Sequence, residues 1–219
     1  SLVFDSCTRE SKAWKDELRL AARAVARDAG DKPLWLCAGG GIDSEIMCDA
    51  FFEEGINFSV LTIEHAGRTN RSDTKHIKKW CYARDVPHEV HVLNMDLFVS
   101  EDVQRYIADS YAATAIQRYL YIKLLELVEA KGGYAVIGCG AQAYEVAPTE
   151  SGAVTAPYLS FSIGYVAPLE WVRRNAAKHT PFFFFSTPEL CLSYITNELA
   201  QFVLSHPEML AHHANGHLL

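Results

Sequence analysis

Three consecutive glycines followed by an acid and a hydroxyl carry the most distinctive chemistry of the chain. The stretch WLCAGGGIDSEIMCDAF, residues 35–51, runs from an apolar segment through Gly39–Gly41 to Asp43 and Ser44, where a helical pattern begins. Glycines at such a turn let backbone N–H groups close on a phosphate, and the start of a helix adds a favourable dipole. A hydroxyl can donate to phosphate, whereas a carboxylate beside phosphate requires a cation between them. The pattern therefore predicts a phosphate site with Mg²⁺ held at Asp43.

Two other phosphate-binding turns match this stretch less well. A Walker P-loop needs Lys followed by Ser or Thr at the helix start, and no Lys follows these glycines. A dinucleotide-binding turn needs G-x-G-x-x-G; Gly39 and Gly41 supply the first two positions, but Ser44 stands at the third. Glu64 ends the next predicted strand at roughly the distance where an acid would hold a ribose. A nicotinamide- or flavin-linked oxidoreductase therefore stays open as an alternative.

The elements that must position this turn alternate between strand and helix. Apolar runs and turn signals predict strands at 33–37, 57–65, 88–95 and 134–140. Helical spacing predicts helices at 9–29, 44–54, 73–85 (with Ser72 as N-cap), 101–131 (broken near Asp109), 168–179 and 187–205. This order predicts an α/β fold, a doubly wound, Rossmann-like parallel sheet with helices on both faces. Residues 147–166 are loop-rich and receive no predicted element.

Polar residues gather after the ends of three predicted strands, at 39–44, 64–73 and 138–145. Ligands of open parallel sheets bind beyond the carboxyl ends of the strands, so these loops are expected to share one mouth. No linker or repeat divides the chain. We expect a single nucleotide-binding domain over residues 1–219, with 147–219 as a C-terminal helical extension on the substrate side.

The motif GGGIDSE resembles the S-G-G-x-D-S signature of the PP-loop ATP pyrophosphatases, a branch of the adenine nucleotide α-hydrolase-like (HUP) superfamily. The match places G-G-x-D-S on Gly40, Gly41, Ile42, Asp43 and Ser44. It lies between a buried strand and a helix, as the family requires. The resemblance implies binding of ATP and Mg²⁺.

Weaker resemblance extends over residues 33–145. SVLTIEH fits the family strand whose end holds adenine and ribose, and VIGCGAQAYE fits a second glycine-rich loop that faces the α-phosphate and the substrate. TNRSDTKHIKKWC places Asn70 and Asp73 where related phage and bacterial proteins, including the phosphoadenosine phosphosulfate reductase-like group, often carry a polar pair. The sulfonucleotide reductases themselves are disfavoured because no cysteine follows Cys191. The nucleotide-binding residues that the resemblance implies are Cys37, Ala38, Gly39, Gly40, Gly41, Ile42, Asp43, Ser44, Ile63, Glu64, His65, Gly138, Cys139 and Gly140.

The activity implied by the resemblance is adenylation. A substrate oxygen attacks the α-phosphorus of ATP, pyrophosphate leaves, and a nitrogen or sulfur nucleophile then displaces AMP. The implied catalytic residues are Asp43, Ser44 and a cation for the pyrophosphate, for which Arg173 is chosen and Arg174, Lys178, Arg68 and Arg71 stay open. The first serine of the signature falls on Gly39, which removes a charge-assisted hydrogen bond worth about 1.5–3 kcal/mol. A nucleotide-binding module without turnover is therefore a second alternative.

The composition indicates which cellular compartment and which kinds of binding partner to expect. The net charge of −7 favours a small-molecule or nucleotide substrate and leaves nucleic acid open without favouring it. No apolar run is long enough to span a membrane. Six cysteines without a CxxC pair disfavour zinc and iron–sulfur sites and are typical of reduced thiols in a cytoplasmic protein. PFFFF, 181–185, is expected in the core first, with a substrate pocket or a homodimer interface as the alternatives, and the tyrosines of 101–131 are expected in the core or at an interface.

Overall fold

A computed structural model describes residues 6–111, 113, 115–138, 143–148, 154–160 and 166–206. Its four-stranded parallel sheet has the order β3-β2-β1-β4, formed by β1 (Leu34–Cys37), β2 (Ser59–His65), β3 (His88–Leu93) and β4 (Tyr134–Ile137). The helices are α1 (Trp14–Ala29), α2 (Ile42–Glu53), α3 (Arg71–Arg84), α4 (Met95–Leu97), a π-helix (Phe98–Val103), α5 (Gln104–Ala108), α6 (Ile116–Glu129), α7 (Val166–Arg174), a 3₁₀-helix (Phe183–Phe185), α8 (Pro188–Thr196) and α9 (Glu198–Ser205). A second sheet pairs β5 (Ala143–Pro148) with β6 (Val154–Ser160) in antiparallel fashion.

Alternating side chains of the parallel strands build a core on each face of the sheet. In β1, Leu34 and Leu36 join a cluster with residues of α1, α2, α3 and α8. Trp35 and Cys37 point to the other cluster, which contains residues of the π-helix, α5, α6 and α7. Because successive residues of a strand face opposite sides, apolar residues at every position require cover on both faces. The predicted doubly wound α/β fold is confirmed.

Local signals placed several boundaries incorrectly. The helix predicted over 187–205 is two helices, because Asn197 is extended (φ −66°, ψ 156°) and its Oδ1 accepts from the Ala200 N–H at 2.8 Å, starting α9. Ser72 does not cap α3; it lies inside the helix, and Asn70 occupies the cap position. Residues 147–166, predicted without an element, contain the end of β5 and all of β6. The break predicted near Asp109 is confirmed.

Parts of both aromatic runs lie in the core, the location expected first, while Phe182, Phe185 and Tyr121 are half-buried. Phe183 is fully buried, its ring centroid 5.5 Å from that of Phe51 on α2. Tyr119 and Tyr111 are also buried, and the Tyr119 hydroxyl donates to the Tyr111 carbonyl at 2.8 Å. Cys7, Cys48 and Cys81 are free thiols. None of the helices described has the length and apolarity needed to cross a bilayer.

A buried histidine beside β4 makes the fold sensitive to acid. The Ala135 N–H donates to His179 Nδ1 at 3.1 Å, Nε2 lies 3.0 Å from a Glu129 carboxylate oxygen, and the ring stacks on Trp171. Burial lowers the pKa of His179 below its ordinary value, although the Glu129 carboxylate acts in the opposite direction, and the nearby charge of Lys32 adds to the lowering. The imidazole is therefore neutral with its proton on Nε2, since a proton on Nδ1 would face the Ala135 N–H.

We expect His179→Asn to weaken the acid dependence of stability. The unfolded chain takes up the proton first, so the contribution of His179 is complete above about pH 6.5 and is lost as the pH falls toward the lowered folded-state pKa. Asparagine retains an acceptor for the Ala135 N–H but does not titrate. Urea unfolding at about pH 7.5 and about pH 5.5 should show a smaller loss of unfolding free energy in the variant. Burial also lowers the pKa values of His88 and His91, but both residues are present in the parent and in the variant. Equal losses of unfolding free energy in the two proteins would therefore contradict the prediction.

Candidate functional site

The glycine turn joins the end of β1 to the start of α2. Gly41 caps the helix in an extended conformation (φ −74°, ψ 165°), and the Glu45 N–H donates to its carbonyl at 3.2 Å. The N–H groups of Ile42, Asp43 and Ser44 precede that first helical bond, so they have no acceptor within the helix. Three backbone donors therefore stand together at the N-terminus of a twelve-residue helix.

The side chain of Ser44 folds back over this turn. Its Oγ accepts a hydrogen bond from the Gly39 N–H at 3.2 Å. The bond uses a lone pair of the hydroxyl and leaves the hydroxyl proton for another acceptor. Ser44 is thus held at the turn as a donor.

Gly40 is the position in the turn where no residue with a side chain fits. Its φ is +98°, and a Cβ on it would lie 1.8 Å from the backbone carbonyl oxygen of Asp73, in the first turn of α3. The loop therefore packs directly on α3 through a position where a side chain has no room. Gly39 and Gly41 differ, because a Cβ on either would meet no atom within 4 Å.

Asn70 forms hydrogen bonds with β2 beyond the point where β1 ends. The Ala38 N–H donates to the Leu61 carbonyl at 3.0 Å, and beyond that point β2 continues without β1 beside it. There the Asn70 Nδ2 donates to the Ile63 carbonyl at 2.9 Å, and its Oδ1 accepts from the His65 N–H at 3.0 Å. One carboxamide thus supplies the donor and the acceptor that a further peptide of β1 would have supplied. Asn70 therefore completes the edge of β2 beside the cleft.

A cleft of about 500 Å³ opens over the turn, within the usual size range of small-molecule sites. Its floor and one wall come from β1, the turn, β2 and the end of β4, and α6 supplies a second wall. The lining residues are Cys37, Ala38, Gly39, Gly41, Ile42, Asp43, Ser44, Leu61, Ile63, His65, Asn70, Leu120, Tyr121, Leu124, Ile137 and Gly138. The structure therefore brings together most of the residues that the sequence assigned to a nucleotide. Cys139 and Gly140 lie outside the described residues.

Glu64 is separated from the cleft although it was predicted to be part of it. Its neighbours Ile63 and His65 line the cleft, so the intervening side chain points to the opposite face of β2. There it pairs with Lys78 and accepts from Thr74 at 3.4 Å, and the Lys78 ammonium holds the pKa of Glu64 below its usual range. The acid that would hold a ribose in the oxidoreductase alternative is bound to α3.

Arg173, predicted as the cation for a pyrophosphate, is not brought to the cleft. Its side chain is 71% exposed and pairs with Glu170 on α7 at 2.6 Å. The chain then reaches Thr180, which bonds to β4, and His179 just before it lies against Glu129 at the end of α6. No residue of α7 is part of the described lining of the cleft. Among the described residues, the lining of the cleft contains no Lys or Arg. Arg68 and Arg71 lie in the same stretch of chain as the lining residues His65 and Asn70.

Asp43 is the carboxylate of the described lining. Burial raises the pKa of Asp43, which means that the charged form lacks compensation in this environment. Burial, and after it the Asp43 charge, raises the pKa of Tyr194 on α8, so this ring lies near the carboxylate. A divalent cation would supply the missing compensation.

Magnesium suits this donor set. The described residues contain no cluster of three or more His, Cys, Asp or Glu placed to hold a metal. Mg²⁺ commonly binds through one or two carboxylates together with water and the phosphates of a substrate. The single carboxylate of Asp43 therefore fits Mg²⁺ whose other ligands are water and phosphate oxygens.

Sequence patterns did not reveal the wall formed by α6. Leu120, Tyr121 and Leu124 have helical spacing, which indicates an apolar face but does not distinguish a cleft from a core. Tyr121 was expected in the core or at an interface. Its place in the cleft follows from the packing of α6 over the carboxyl ends of β1 and β4.

Comparison with known proteins gives distant structural likenesses. No family model matches the chain, and no curated protein matches it. A predicted subunit of tRNA methyltransferase from Methanocaldococcus jannaschii is similar at 15% identity and a TM-score of 0.43, with 74% of each chain covered. NMN synthetase from Francisella tularensis is similar at 11% identity and a TM-score of 0.41, with 56% of this chain and 52% of that chain covered.

NH₃-dependent NAD synthetase from Campylobacter jejuni is similar at 12% identity and a TM-score of 0.40, with 59% of this chain and 58% of that chain covered. The chain thus spans little more than half the length of the two synthetases. Likenesses at this level assign neither a family nor an activity to the chain.

Proposed function

We propose that the chain binds ATP with Mg²⁺ in this cleft and transfers its adenylyl group to a small-molecule or nucleotide substrate. The observation that carries the proposal is the glycine turn, where three N–H groups without an acceptor in their own helix, the Ser44 hydroxyl and the Asp43 carboxylate meet. Donors without acceptors favour an anionic ligand, and a carboxylate beside them favours an anion that brings a cation. A polyphosphate with bound Mg²⁺ satisfies both conditions.

Each part of the cleft receives a role in this proposal. The N–H groups of Ile42, Asp43 and Ser44, with the Ser44 hydroxyl, bind the β- and γ-phosphates. Asp43 would hold Mg²⁺, which when bound would neutralise charge on the phosphates. The end of β2 with Ile63 and His65 contacts the nucleoside, and Gly138 borders the space for the α-phosphate and the second substrate.

The proposed reaction has two steps. A substrate oxygen forms a bond to the α-phosphorus while the bond to the pyrophosphate oxygen breaks. A nitrogen or sulfur nucleophile then displaces AMP from the activated substrate. The cleft contributes mostly by positioning and by stabilising the leaving pyrophosphate. Arg68 and Arg71, which flank the cleft, replace Arg173 as candidates for the cation that assists departure.

A nucleotide-binding module without turnover is the second candidate, and Gly39 favours it because the signature hydroxyl is missing there. The oxidoreductase alternative requires Glu64 to bind a ribose, but Glu64 is paired with Lys78.

Calorimetric titration of ATP with Mg²⁺ tests the proposal. Asp43→Ala should weaken binding by about 100-fold, because it removes a charge-assisted contact worth up to about 3 kcal/mol. Glu45→Ala is the matched control, since this acid lies in the same helical turn but is exposed and outside the cleft; its binding should be unchanged. Pyrophosphate release with candidate substrates then identifies the enzyme, and binding without release identifies the module. Binding of NAD or a flavin in place of ATP would overturn the proposal.

Gly39→Ser is expected to strengthen ATP binding. The backbone at Gly39 accepts a Cβ without a clash, so the change adds a hydroxyl at the mouth of the turn. One charge-assisted hydrogen bond to phosphate would lower the dissociation constant by about ten- to 100-fold. Gly39→Ala adds the Cβ without the hydroxyl and should leave affinity unchanged. Equal affinities for the serine and alanine variants would show that no phosphate comes within reach of position 39.

A further inference from the structure

We propose that two copies of this chain associate through the outer edge of β3, as an antiparallel β3–β3 pair about a two-fold axis at Val90. β3 is the last strand of the parallel sheet, and no strand in the described part of the chain pairs with its outer edge. The proposal is independent of the proposed function, because β3 contributes no residue to the cleft.

The backbone register of β3 is self-complementary. The Val60 N–H donates to the Pro87 carbonyl and the Ala66 N–H to the Leu93 carbonyl, which fixes the phase of the β2–β3 ladder. Alternate residues of a parallel strand bond to one neighbour, so 89, 91 and 93 face β2. His88, Val90 and Val92 therefore direct their N–H and C=O groups outward. These three residues are placed symmetrically about Val90.

An antiparallel second copy satisfies all of these groups at once. With Val90 opposite Val90 of the second copy, His88 lies opposite Val92, and each of these is a hydrogen-bonded pair. Three outward donors and three outward acceptors on each copy then form six hydrogen bonds. An unrelated strand could use the same edge, but only a second copy meets it with this symmetry.

The side chains on the edge also match as hydrogen-bond donor and acceptor in this register. Glu89 lies opposite His91 of the second copy in the closer, non-hydrogen-bonded pairs, so a carboxylate meets an imidazole on each side of the axis. Within its own chain Glu89 accepts from Lys131 at 3.0 Å, which leaves further lone pairs on the carboxylate for an N–H of the imidazole.

Exposed apolar side chains border the same edge. Val92 is 61% exposed, and its side chain shares the α3 face of the sheet with Val60, the face of the first core cluster. Lys78 of α3 pairs with Glu64 and acts on His88, so that flank of α3 faces β3. Tyr82 follows Lys78 by one helical turn on the same flank and is 91% exposed.

Edge strands that remain single are usually interrupted by Pro, Lys or a bulge. In β3, the backbone N–H and C=O groups that point outward belong to His88, Val90 and Val92, and the β2–β3 register runs without a bulge. In the described part of the chain, β3 thus contains no Pro, Lys or bulge, and it carries apolar surface that pairing would bury.

Sedimentation equilibrium from about 1 to about 100 μM tests the association. The chain should sediment at twice its monomer mass at the upper concentrations. Val90→Pro removes an outward N–H that β2 does not use, so the fold should persist while the dissociation constant rises by about 100-fold or more. Val92→Lys, an exposed change that places a charge against the second copy, should act in the same direction. Leu192→Lys, at an exposed apolar position of α8, should leave the dimer intact.

Hydrogen exchange followed by NMR supplies a residue-level readout. The amides of His88, Val90 and Val92 should become protected as concentration rises, whereas those of Glu89 and His91 should be protected throughout. A chain that is monomeric at about 100 μM would overturn the proposal. A dimer that survives Val90→Pro and Val92→Lys but is lost in Leu192→Lys would also overturn it and assign the interface to the C-terminal third.

Discussion

Replacing Gly40 with alanine is expected to lower the free energy of unfolding by about 3–5 kcal/mol and to abolish ATP binding. The new Cβ would lie 1.8 Å from the Asp73 carbonyl oxygen, which belongs to a helix backbone and cannot rotate away. The φ of +98° is also one that alanine rarely adopts. Either the turn or α3 must move, and both changes displace the N–H groups at the start of α2.

The flanking glycines provide matched controls for this prediction. Gly41→Ala and Gly39→Ala place the same methyl group in open space at backbone angles outside the left-handed region. Both should change the free energy of unfolding by less than about 1 kcal/mol. Urea unfolding and calorimetric titration of ATP with Mg²⁺ measure the two effects. Similar losses for all three variants would mean that the contact with Asp73 does not determine the turn.

Local patterns were sufficient to predict the sheet and the turn. Strand β1 is apolar at each position because helices cover both faces, and Gly39–Gly41 separate it from a helical pattern over a short distance. Both signals lie within a few residues of each other, so the sequence contains them in full. The predicted cleft residues from Cys37 to Ser44, apart from Gly40, line one cleft for the same reason.

Predictions that depended on distant parts of the chain were less successful. Glu64 faces the side of the sheet on which Lys78 lies, and Lys78 follows it by 14 residues in the chain. The position of Arg173 depends on the path from α7 to Thr180 beside β4. Strands β5 and β6 contain Pro148 and Pro157, which usually indicate loops. In each case the determining contact is tertiary and leaves no local pattern.

Asn70 shows the same limit at a single residue. The sequence marked it as one of a polar pair, and its position before α3 is typical of a helix cap. Its side chain does not cap α3 and instead completes the ladder of β2 where β1 ends. The glycine turn packs on α3 where the Asp73 carbonyl meets Gly40, and Asn70, directly before α3, completes the β2 ladder beyond the end of β1. The start of α3 therefore contacts both elements that border the cleft.

Asn70→Asp is expected to destabilise the chain by about 1–3 kcal/mol at neutral pH and to restore most of that loss in acid. The introduced carboxylate still accepts from the His65 N–H, but it faces the Ile63 carbonyl without a proton to donate. Protonation creates that donor, so the folded state raises the pKa of the new carboxyl above its unfolded value near 3.9. Stability relative to the parent chain should therefore recover as the pH falls through the raised pKa.

Asn70→Ala separates this effect from simple loss of the side chain, because it removes both hydrogen bonds and has nothing to titrate. Urea unfolding of the parent and both variants at about pH 7 and about pH 5 should show recovery for the Asp variant alone. ATP affinity should fall in both variants at neutral pH, since the edge of β2 beside the cleft is no longer completed. An Asp variant as stable as the parent at neutral pH would mean that the Ile63 carbonyl finds another donor, and that β1 ends at Cys37 for a different reason.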